Sequence, residues 1–247
     1  MSAQATTDRG GGRAPVHALA SDEWQMAPGE RAAIEGLLAQ IRPTLAIELG
    51  TAQGGSLARI AEYSREVHTF DLEPSVDQSR FSNVTFHVGD SHVLLAELLA
   101  EFARQRRNVD FVLVDGDHRP AGARKDLEDL LRSPALRQST VVMHDTMNEG
   151  VRAGFAAVDW ATYPSARFVD LSFVQLEQSA VGLGERWGGL GLILVDADGT
   201  SACRTGVVAR REGAPGHVLE IVWRLLTPLR AVRRRLVHRG KDFLARL

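Results

Sequence analysis

The sequence contains almost no cysteine. Cys203 is the single cysteine among 247 residues, so the chain cannot form an internal disulfide or a zinc site built from several thiolates. It also has no uninterrupted apolar run near the roughly 18 residues that a membrane-spanning helix needs. The first residues lack the apolar core of a signal peptide, and we therefore expect a cytoplasmic protein.

The charge is divided unevenly along a chain whose composition is otherwise that of a globular protein. The formal net charge is -2 at pH 7, and 24% of the residues are charged. From Ser201 onward there are 11 Lys and Arg against 3 Asp and Glu, whereas the first 200 residues carry 18 basic and 28 acidic side chains. The sequence therefore predicts an acidic body followed by a basic extension.

Composition and periodicity predict three parts of the chain. Residues 1–20 are rich in Gly, Ala and Thr and predict a mobile leader. Residues 21–200 alternate short apolar runs with amphipathic segments, which predicts an α/β domain with a doubly wound, mostly parallel sheet. Residues 201–247 form the basic extension. The strands are expected at TLAIEL, VHTFDL, NVTFHV, VDFVLVD, TVVMHD, ARFVDLSFV and GLGLILVD.

Helices are predicted between these strands, after a first helix that begins at Pro28. The loop between the last two strands contains Gly182, Gly184 and Trp187, and its glycine content predicts irregular structure. Trp187 is nevertheless a candidate for a lid over the ligand. The expected helix bounds are about 55–63, 91–102, 121–131 and 150–160. A solvated helix face is predicted for Arg124, Lys125, Asp126, Glu128 and Asp129.

A glycine-rich turn follows the first predicted strand. It reads E-L-G-T-A-Q-G-G over residues 48–55, and glycines in such a turn let the backbone approach a ligand closely. Its spacing differs from the G-x-G-x-x-G of dinucleotide sites, because Ala52 stands where the second glycine would be. Asp71 ends the second strand, where a carboxylate can accept hydrogen bonds from both ribose hydroxyls. Gly89, Asp90 and Ser91 end the third, although Ser91 is equally a good helix N-cap.

This set of residues resembles the class I S-adenosylmethionine-dependent methyltransferases, over about Ala46 to Asp196. The resemblance implies a Rossmann-like sheet of seven strands whose last strand runs antiparallel between the fifth and the sixth. It implies that the turn glycines cradle the methionine part of the cofactor, that the carboxylate after the second strand holds the ribose, and that the third strand end borders the adenine. The cofactor-binding residues expected on this basis are Glu48, Gly50, Gly54, Asp71, Leu72, Asp90, Ser91 and Asp115.

Carboxylates and imidazoles end the fourth and fifth predicted strands. Asp115 and His118 follow the fourth strand, and His144 and Asp145 end the fifth. These ends are neighbours in a doubly wound sheet, and crowded carboxylates need a cation, protonation or solvent. Oxygen ligands suit Mg²⁺, whereas the imidazoles leave Mn²⁺, Fe²⁺ or Zn²⁺ open.

The two segments VDGDH and VVMHDTMN are similar to macrocin-type sugar O-methyltransferases and cephalosporin-hydroxylase-like proteins. Several of these relatives bind a divalent cation at the same two strand ends. The similarity places Asp115 and Asp145 at ligand positions, with His144 where some members carry an acid. Thr146 departs from the Asn or Asp that often follows. The implied acceptor is a sugar or glycan hydroxyl, and a catechol-like phenol stays open.

The predicted function is methyl transfer from S-adenosylmethionine to a hydroxyl of a small molecule. The hydroxyl must lose its proton, and either a divalent cation or a histidine base can promote this. His118 and His144 are the candidate bases, and His118 is preferred because it follows a turn that opens toward the pocket. The alternatives are a nicotinamide-dependent oxidoreductase and a non-catalytic module that docks through its basic extension.

The basic extension predicts an amphipathic helix. Arginines alternate there with one apolar stripe. Such a helix can pack on the acidic body, join two copies as a homodimer, or lie on an anionic membrane surface. Nucleic acid is disfavoured, because interleaved aromatic residues are absent. The stripe consists of Leu229, Val232, Leu236, Phe243 and Leu247.

Overall fold

A mixed β-sheet covered by helices on both faces forms the body of the computed structural model, which describes residues 24–175, 178–179, 186–199 and 206–207. The helices in this part are α1 Pro28–Ile41, α2 Gly55–Tyr63, α3 Ser91–Arg104, α4 Pro120–Arg132 and α5 Glu149–Ala156. The main strands are β1 Leu45–Leu49, β2 Glu66–Asp71, β3 Val84–Val88, β4 Phe111–Val114, β5 Gln138–His144, β6 Ala166–Val174 and β9 Leu190–Asp196. Shorter strands are β7 Gln178–Ser179, β8 Arg186–Trp187 and β10 Gly206–Val207.

The strand order confirms the predicted fold class. The sheet runs β10-β6-β9-β5-β4-β1-β2-β3, and β1 to β5 pair in parallel with their neighbours. Strand β9 lies antiparallel between β5 and β6, as the resemblance implied. The two-residue strand β10 adds to the outer edge of the expected seven strands. Because the order reverses at β1, the ligand crevice of such a sheet opens beyond the carboxyl ends of β1, β2 and β4.

The central strands β1 and β4 are buried on both faces, which explains why their sequences are apolar except at Glu48. Every residue of β1 and of β4 is buried. Alternate side chains of β1 point to opposite faces: Ile47 belongs to the core beneath α3 and α4, and Ala46 to the core beneath α1 and α2. A parallel strand covered by helices on both sides shows this pattern.

Three predictions about local structure were wrong. Helix α5 ends at Ala156, before the expected end near residue 160, because Asp159 caps a separate 3-10 turn at Trp160–Thr162. Trp187 lies in strand β8, which pairs with β7 in a short antiparallel ladder. Asp126 is fully buried and does not lie on the solvated face of α4.

Several predicted segments fall outside the described residues. They comprise the leader 1–20, Gly182 and Gly184, and the basic extension apart from β10. Among the helices of the described part, none is both long enough and apolar enough to span a bilayer.

Candidate functional site

A cavity of about 410 Å³ opens at the carboxyl ends of β1, β2, β3 and β4. A smaller cavity of about 50 Å³ lies against the same glycine turn and is bounded by residues 24–26, ahead of α1. Glu48 and Gly54 are absent from the linings of these two cavities. The six predicted residues that line the larger cavity are Gly50, Asp71, Leu72, Asp90, Ser91 and Asp115. The structure therefore brings most of the predicted cofactor residues to one place.

Gly50 has to be glycine for two reasons. Its φ angle is +93°, in the left-handed region that side chains disfavour. A Cβ atom at this position would lie 2.1 Å from the carbonyl oxygen of Asp115. The turn after β1 therefore passes directly against the end of β4, and Gly50 lines both cavities.

Asp71 holds the glycine turn from the neighbouring strand. Its Oδ2 atom accepts hydrogen bonds from the backbone N–H groups of Thr51 (2.9 Å) and Ala52 (2.8 Å). Its Oδ1 atom accepts one from the N–H of Glu73 at 2.9 Å. A carboxylate offers about four acceptor positions, so roughly one remains for a ribose hydroxyl. The structure therefore leaves Asp71 fewer free acceptor positions than the predicted hydrogen bonds to both ribose hydroxyls would need.

The sequence left open whether Ser91 contacts a ligand or caps α3, and the structure shows that Asp90 is the capping residue. Asp90 is the N-cap of α3, and its Oδ1 atom accepts a hydrogen bond from the N–H of His92. Ser91 is the first residue of the helix and lines the cavity. The N-cap is therefore Asp90, and the hydroxyl of Ser91 is not needed for that role.

Glu48 is a buried carboxyl that joins the turn to two other elements. It accepts hydrogen bonds from the hydroxyl of Ser56 on α2 (2.6 Å) and from that of Thr69 on β2 (2.7 Å). Burial raises the pKa of Glu48 to about 8, and the two hydrogen bonds offset part of that rise. Glu48 therefore lies beneath the turn, and the orienting role that the resemblance implies for it stays a prediction.

We expect Glu48→Gln to become more stable relative to the wild type as pH rises. The folded-state pKa lies above the unfolded value, so the unfolded chain releases this proton first and wild-type stability falls between about pH 4.5 and pH 8. Glutamine cannot ionise, and the difference should therefore move by about 2–4 kcal/mol in favour of the variant. Urea unfolding across this window measures it, with Glu97→Gln on the exposed face of α3 as the control. A difference that does not change with pH contradicts a protonated Glu48.

The histidine–aspartate cluster consists of Asp115, His118, His144 and Asp145. His144 Nδ1 lies 3.0 Å from Asp115 Oδ1. His118 Nε2 lies 3.0 Å from Asp145 Oδ2 and 3.5 Å from Asp115 Oδ1, although neither contact is a well-directed hydrogen bond. The structure therefore brings the two predicted strand ends together, with Asp115 between both imidazoles and the larger cavity.

The charges of the cluster favour protonated imidazoles. Burial disfavours a charge on His118, but the Asp115 and Asp145 carboxylates outweigh it and raise the pKa of His118 to about 9. Burial likewise opposes a charge on His144, and the Asp115 carboxylate raises the pKa of His144 well above its usual range. An imidazolium has no free lone pair, so this state of the cluster does not favour the predicted role of His118 as a base without a metal.

The same cluster has the chemistry of a divalent cation site. One ligand atom from each of Asp115, His144 and Asp145 lies within 4.8 Å of the others. Asp145 adopts a φ angle of +56°, which is unusual for a residue other than glycine. Two carboxylates and an imidazole fit a cation that takes mixed oxygen and nitrogen ligands. This donor set is the one that the sequence predicted.

Trp187 reaches the cluster from β8. Its ring stands edge-on to His118, with the ring centroids 5.2 Å apart. Asn148, which follows the cluster in the chain, caps α5 by accepting a hydrogen bond from the N–H of Gly150 at 2.9 Å. Trp187 therefore lies beside the site, and Asn148 stabilises the start of α5.

Sequence reasoning missed two groups of site residues. Glu30 on α1 is fully buried, and its Oε1 atom lies 3.6 Å from His144 Nε2 of the cluster. The only feature of the sequence that singled out this residue was its position three residues after the helix N-cap. His92 lines the larger cavity, and its Nε2 lies 3.1 Å from the buried Asp126. The nearby carboxylate raises the pKa of His92, and burial raises that of Asp126. The spacing of residues in the sequence did not indicate the contact of Glu30 with the cluster or that of His92 with Asp126.

Comparison with known proteins gives a family match over residues that include most of the site. Residues 47–146 match a family model described as a methyltransferase domain. Among curated proteins, none matches the chain in sequence.

Solved structures with a similar fold are remote in sequence. An O-methyltransferase from Bacillus cereus in complex with SAH is 14% identical, with a TM-score of 0.46, and the alignment covers 69% of this chain and 82% of that one. The O-methyltransferase TomG from Streptomyces achromogenes, in complex with SAM, is 18% identical, with a TM-score of 0.45 and coverages of 69% and 81%. The MycE methyltransferase of the mycinamycin biosynthetic pathway, in complex with Mg and SAH, is 16% identical, with a TM-score of 0.43 and coverages of 68% and 48%. Likenesses this remote identify no substrate for this chain.

Proposed function

We propose that the chain is a class I S-adenosylmethionine-dependent methyltransferase that transfers the methyl group to a hydroxyl of a small molecule. The match of residues 47–146 to a methyltransferase domain supports the activity. The observation that carries this proposal is the position of Asp115. This residue lines the cofactor cavity and also contacts both imidazoles of the histidine–aspartate cluster. A methyl donor in the cavity would therefore lie next to groups that can activate a hydroxyl.

The residues of the larger cavity fit S-adenosylmethionine. The backbone of Gly50, which lines the cavity without a side chain, suits the methionine part, and Asp71 retains acceptor capacity for the ribose. Leu72 is exposed and offers apolar contact beside the ribose, while Asp90 and Ser91 border the end where adenine would lie. When bound, this cofactor supplies an electrophilic methyl group on a sulfonium. The chain itself supplies orientation and the removal of the acceptor proton.

A divalent cation would be held by Asp115, His144 and Asp145. When bound, it supplies a Lewis acid that lowers the pKa of the acceptor hydroxyl and orients it. The same carboxylates raise the pKa of His118, so neutralising their charge would return this imidazole toward its ordinary range. His118, which is more exposed than His144, could then accept the proton of the hydroxyl.

The acceptor is proposed to lie beside His118 and Trp187, on the partly exposed side of the indole. The indole of Trp187 is partly exposed and stands at the outer side of the cluster. Such a surface stacks on either a sugar ring or an aromatic ring. A sugar or glycan hydroxyl is the acceptor that the sequence resemblance favours, and a catechol-like phenol is the alternative.

The proposal is tested by incubating the protein with methyl-labelled S-adenosylmethionine and fractionated cell extract. We expect label to appear in a small molecule at a hydroxyl oxygen and to disappear after chelation of divalent cations. Full transfer after exhaustive chelation contradicts the role of the cation, and label on nitrogen or carbon contradicts O-methylation. Binding of NAD in place of S-adenosylmethionine would favour the oxidoreductase.

Asp71→Ala is expected to weaken S-adenosylmethionine binding by about 1–3 kcal/mol, or roughly 5- to 150-fold. The variant loses an acceptor for the ribose and the two hydrogen bonds that hold the glycine turn. Isothermal titration calorimetry measures the affinity. The matched control is Asp77→Ala, because Asp77 is an exposed carboxylate that caps only the 3-10 turn at Gln78–Arg80. Unchanged affinity in Asp71→Ala contradicts this assignment.

A further inference from the structure

Glu30 links the histidine–aspartate cluster to a helix that lies outside the matched domain at residues 47–146. It is the third residue of α1, and its side chain has no exposed surface. Its Oε2 atom accepts a hydrogen bond from the N–H of Ala27, which caps the helix. Its Oε1 atom accepts one from the N–H of Gly189. The carboxylate is therefore fixed from two sides.

The turn at Gly188–Gly189 joins Glu30 to the cluster. The N–H of Gly188 donates to Asp145 Oδ1 at 2.6 Å, while the next N–H along the chain donates to Glu30. A Cβ atom at Gly189 would lie 2.9 Å from the hydroxyl oxygen of Thr146, so the turn packs tightly on the end of β5. Two successive amides thus hold one carboxylate of the cluster and one carboxylate of α1.

His144 lies between Glu30 and the other two proposed metal ligands, Asp115 and Asp145. Its Nδ1 atom faces Asp115 Oδ1 at 3.0 Å and Asp145 Oδ1 at 3.6 Å. Its Nε2 atom is buried without a well-directed hydrogen bond, and Glu30 Oε1 is 3.6 Å away. A histidine that binds a metal through one ring nitrogen usually donates the other N–H to a carboxylate, which fixes the orientation of the ring.

We propose that Glu30 is a positioning residue for the cation site. Its carboxylate accepts the Nε2–H of His144 and so presents Nδ1 to a divalent cation held together with Asp115 and Asp145. This inference rests on the cation site of the proposed function and adds to it a residue from α1. It implies that the site is complete only when α1 and the turn at Gly188–Gly189 are in place.

The test is a titration of the metal-free protein with Co²⁺, followed by the absorption of the bound ion. We expect Glu30→Gln to bind Co²⁺ about 10- to 100-fold more weakly than the wild type. The matched control is Glu35→Gln, the same chemical change on the same helix, where the carboxylate pairs with Arg59 and not with the cluster. Equal affinity in Glu30→Gln and the wild type overturns the inference. Failure of the wild type itself to bind Co²⁺ contradicts the cation site and, with it, the role of Glu30.

A double-mutant cycle separates positioning from general damage to the fold. In a His144→Asn background, Glu30→Gln should change Co²⁺ affinity by less than about twofold, because the group through which it acts is gone. An equal loss in both backgrounds would mean that Glu30 acts on the structure alone, and this would overturn the inference.

A measurement on the wild type keeps the inference testable if Glu30→Gln does not fold. Long-range proton–nitrogen correlation spectra of the ¹⁵N-labelled protein with Zn²⁺ report which nitrogen of His144 carries the proton. The inference expects the proton on Nε2 and the metal on Nδ1. The opposite assignment overturns it.

Discussion

Gly50→Ala is expected to weaken S-adenosylmethionine binding by at least about 100-fold. The new Cβ would lie 2.1 Å from a backbone oxygen of Asp115, and a backbone cannot move aside as a flexible side chain can. Alanine would also be strained at the φ angle of +93° that Gly50 adopts, so the backbone would either carry this strain or change its conformation. Either response displaces the turn that faces the cavity and costs about 1–3 kcal/mol or more in strain.

The control for this variant is Gly36→Ala, which makes the same substitution in α1. A Cβ at Gly36 meets nothing within 4 Å, and the residue lies in a regular helix. It should bind the cofactor as the wild type does and gain roughly 0.5–1 kcal/mol in stability. Calorimetric titration gives the affinities, and thermal unfolding shows whether Gly50→Ala is folded. A folded Gly50→Ala protein with wild-type affinity contradicts the proposed position of the cofactor.

Asp115→Asn should reduce methyl transfer by about a thousandfold, within the range of roughly 10²–10⁴ found for acid–base groups. Asp115 borders the cofactor cavity, is a proposed cation ligand and contacts both His118 and His144. Removing its charge should also lower the pKa of both imidazoles, because its carboxylate contributes to raising them. We therefore expect weaker Co²⁺ binding together with lost turnover.

Turnover is measured with the acceptor that the labelling experiment identifies, and folding is checked by thermal unfolding. Asp129→Asn is the matched control, because Asp129 lies on α4 and pairs with Lys125 away from the cluster. Both Co²⁺ affinity and turnover should be unchanged in the control. If Asp115→Asn keeps more than about a tenth of wild-type activity, the cluster is not the place where the hydroxyl is activated.

The described fold followed closely from the sequence where the strands are buried on both faces. Strands β1 and β4 are apolar apart from Glu48 because helices cover both sides of the sheet, and this made them easy to predict. Helix α2 begins and ends at the predicted residues, Gly55 and Tyr63. Helix α5 was predicted too long, because the cap at Asp159 is a local side-chain bond that hydrophobic periodicity does not report.

The candidate site was predicted in its composition but not in its bonds. Asp71, Asp115 and Asp145 could be placed together because the carboxyl ends of parallel strands meet at one edge of a sheet. The hydrogen bonds that Asp71 accepts from the glycine turn could not be predicted, because they depend on the path of the turn. Asp126 resembled its charged neighbours on α4, yet it is buried against His92, which is distant in sequence.

The sequence by itself determined which elements form, their order and the strand ends that carry polar residues, because these follow from local periodicity and from glycine and carboxylate positions. Only the tertiary structure decided how the charges balance. Glu30 lies far along the chain from Gly189 and His144, and their contact exists only after α1 packs beside β9 and β5. The pKa of His118 likewise depends on the distances from its imidazole to two carboxylates, which folding alone sets.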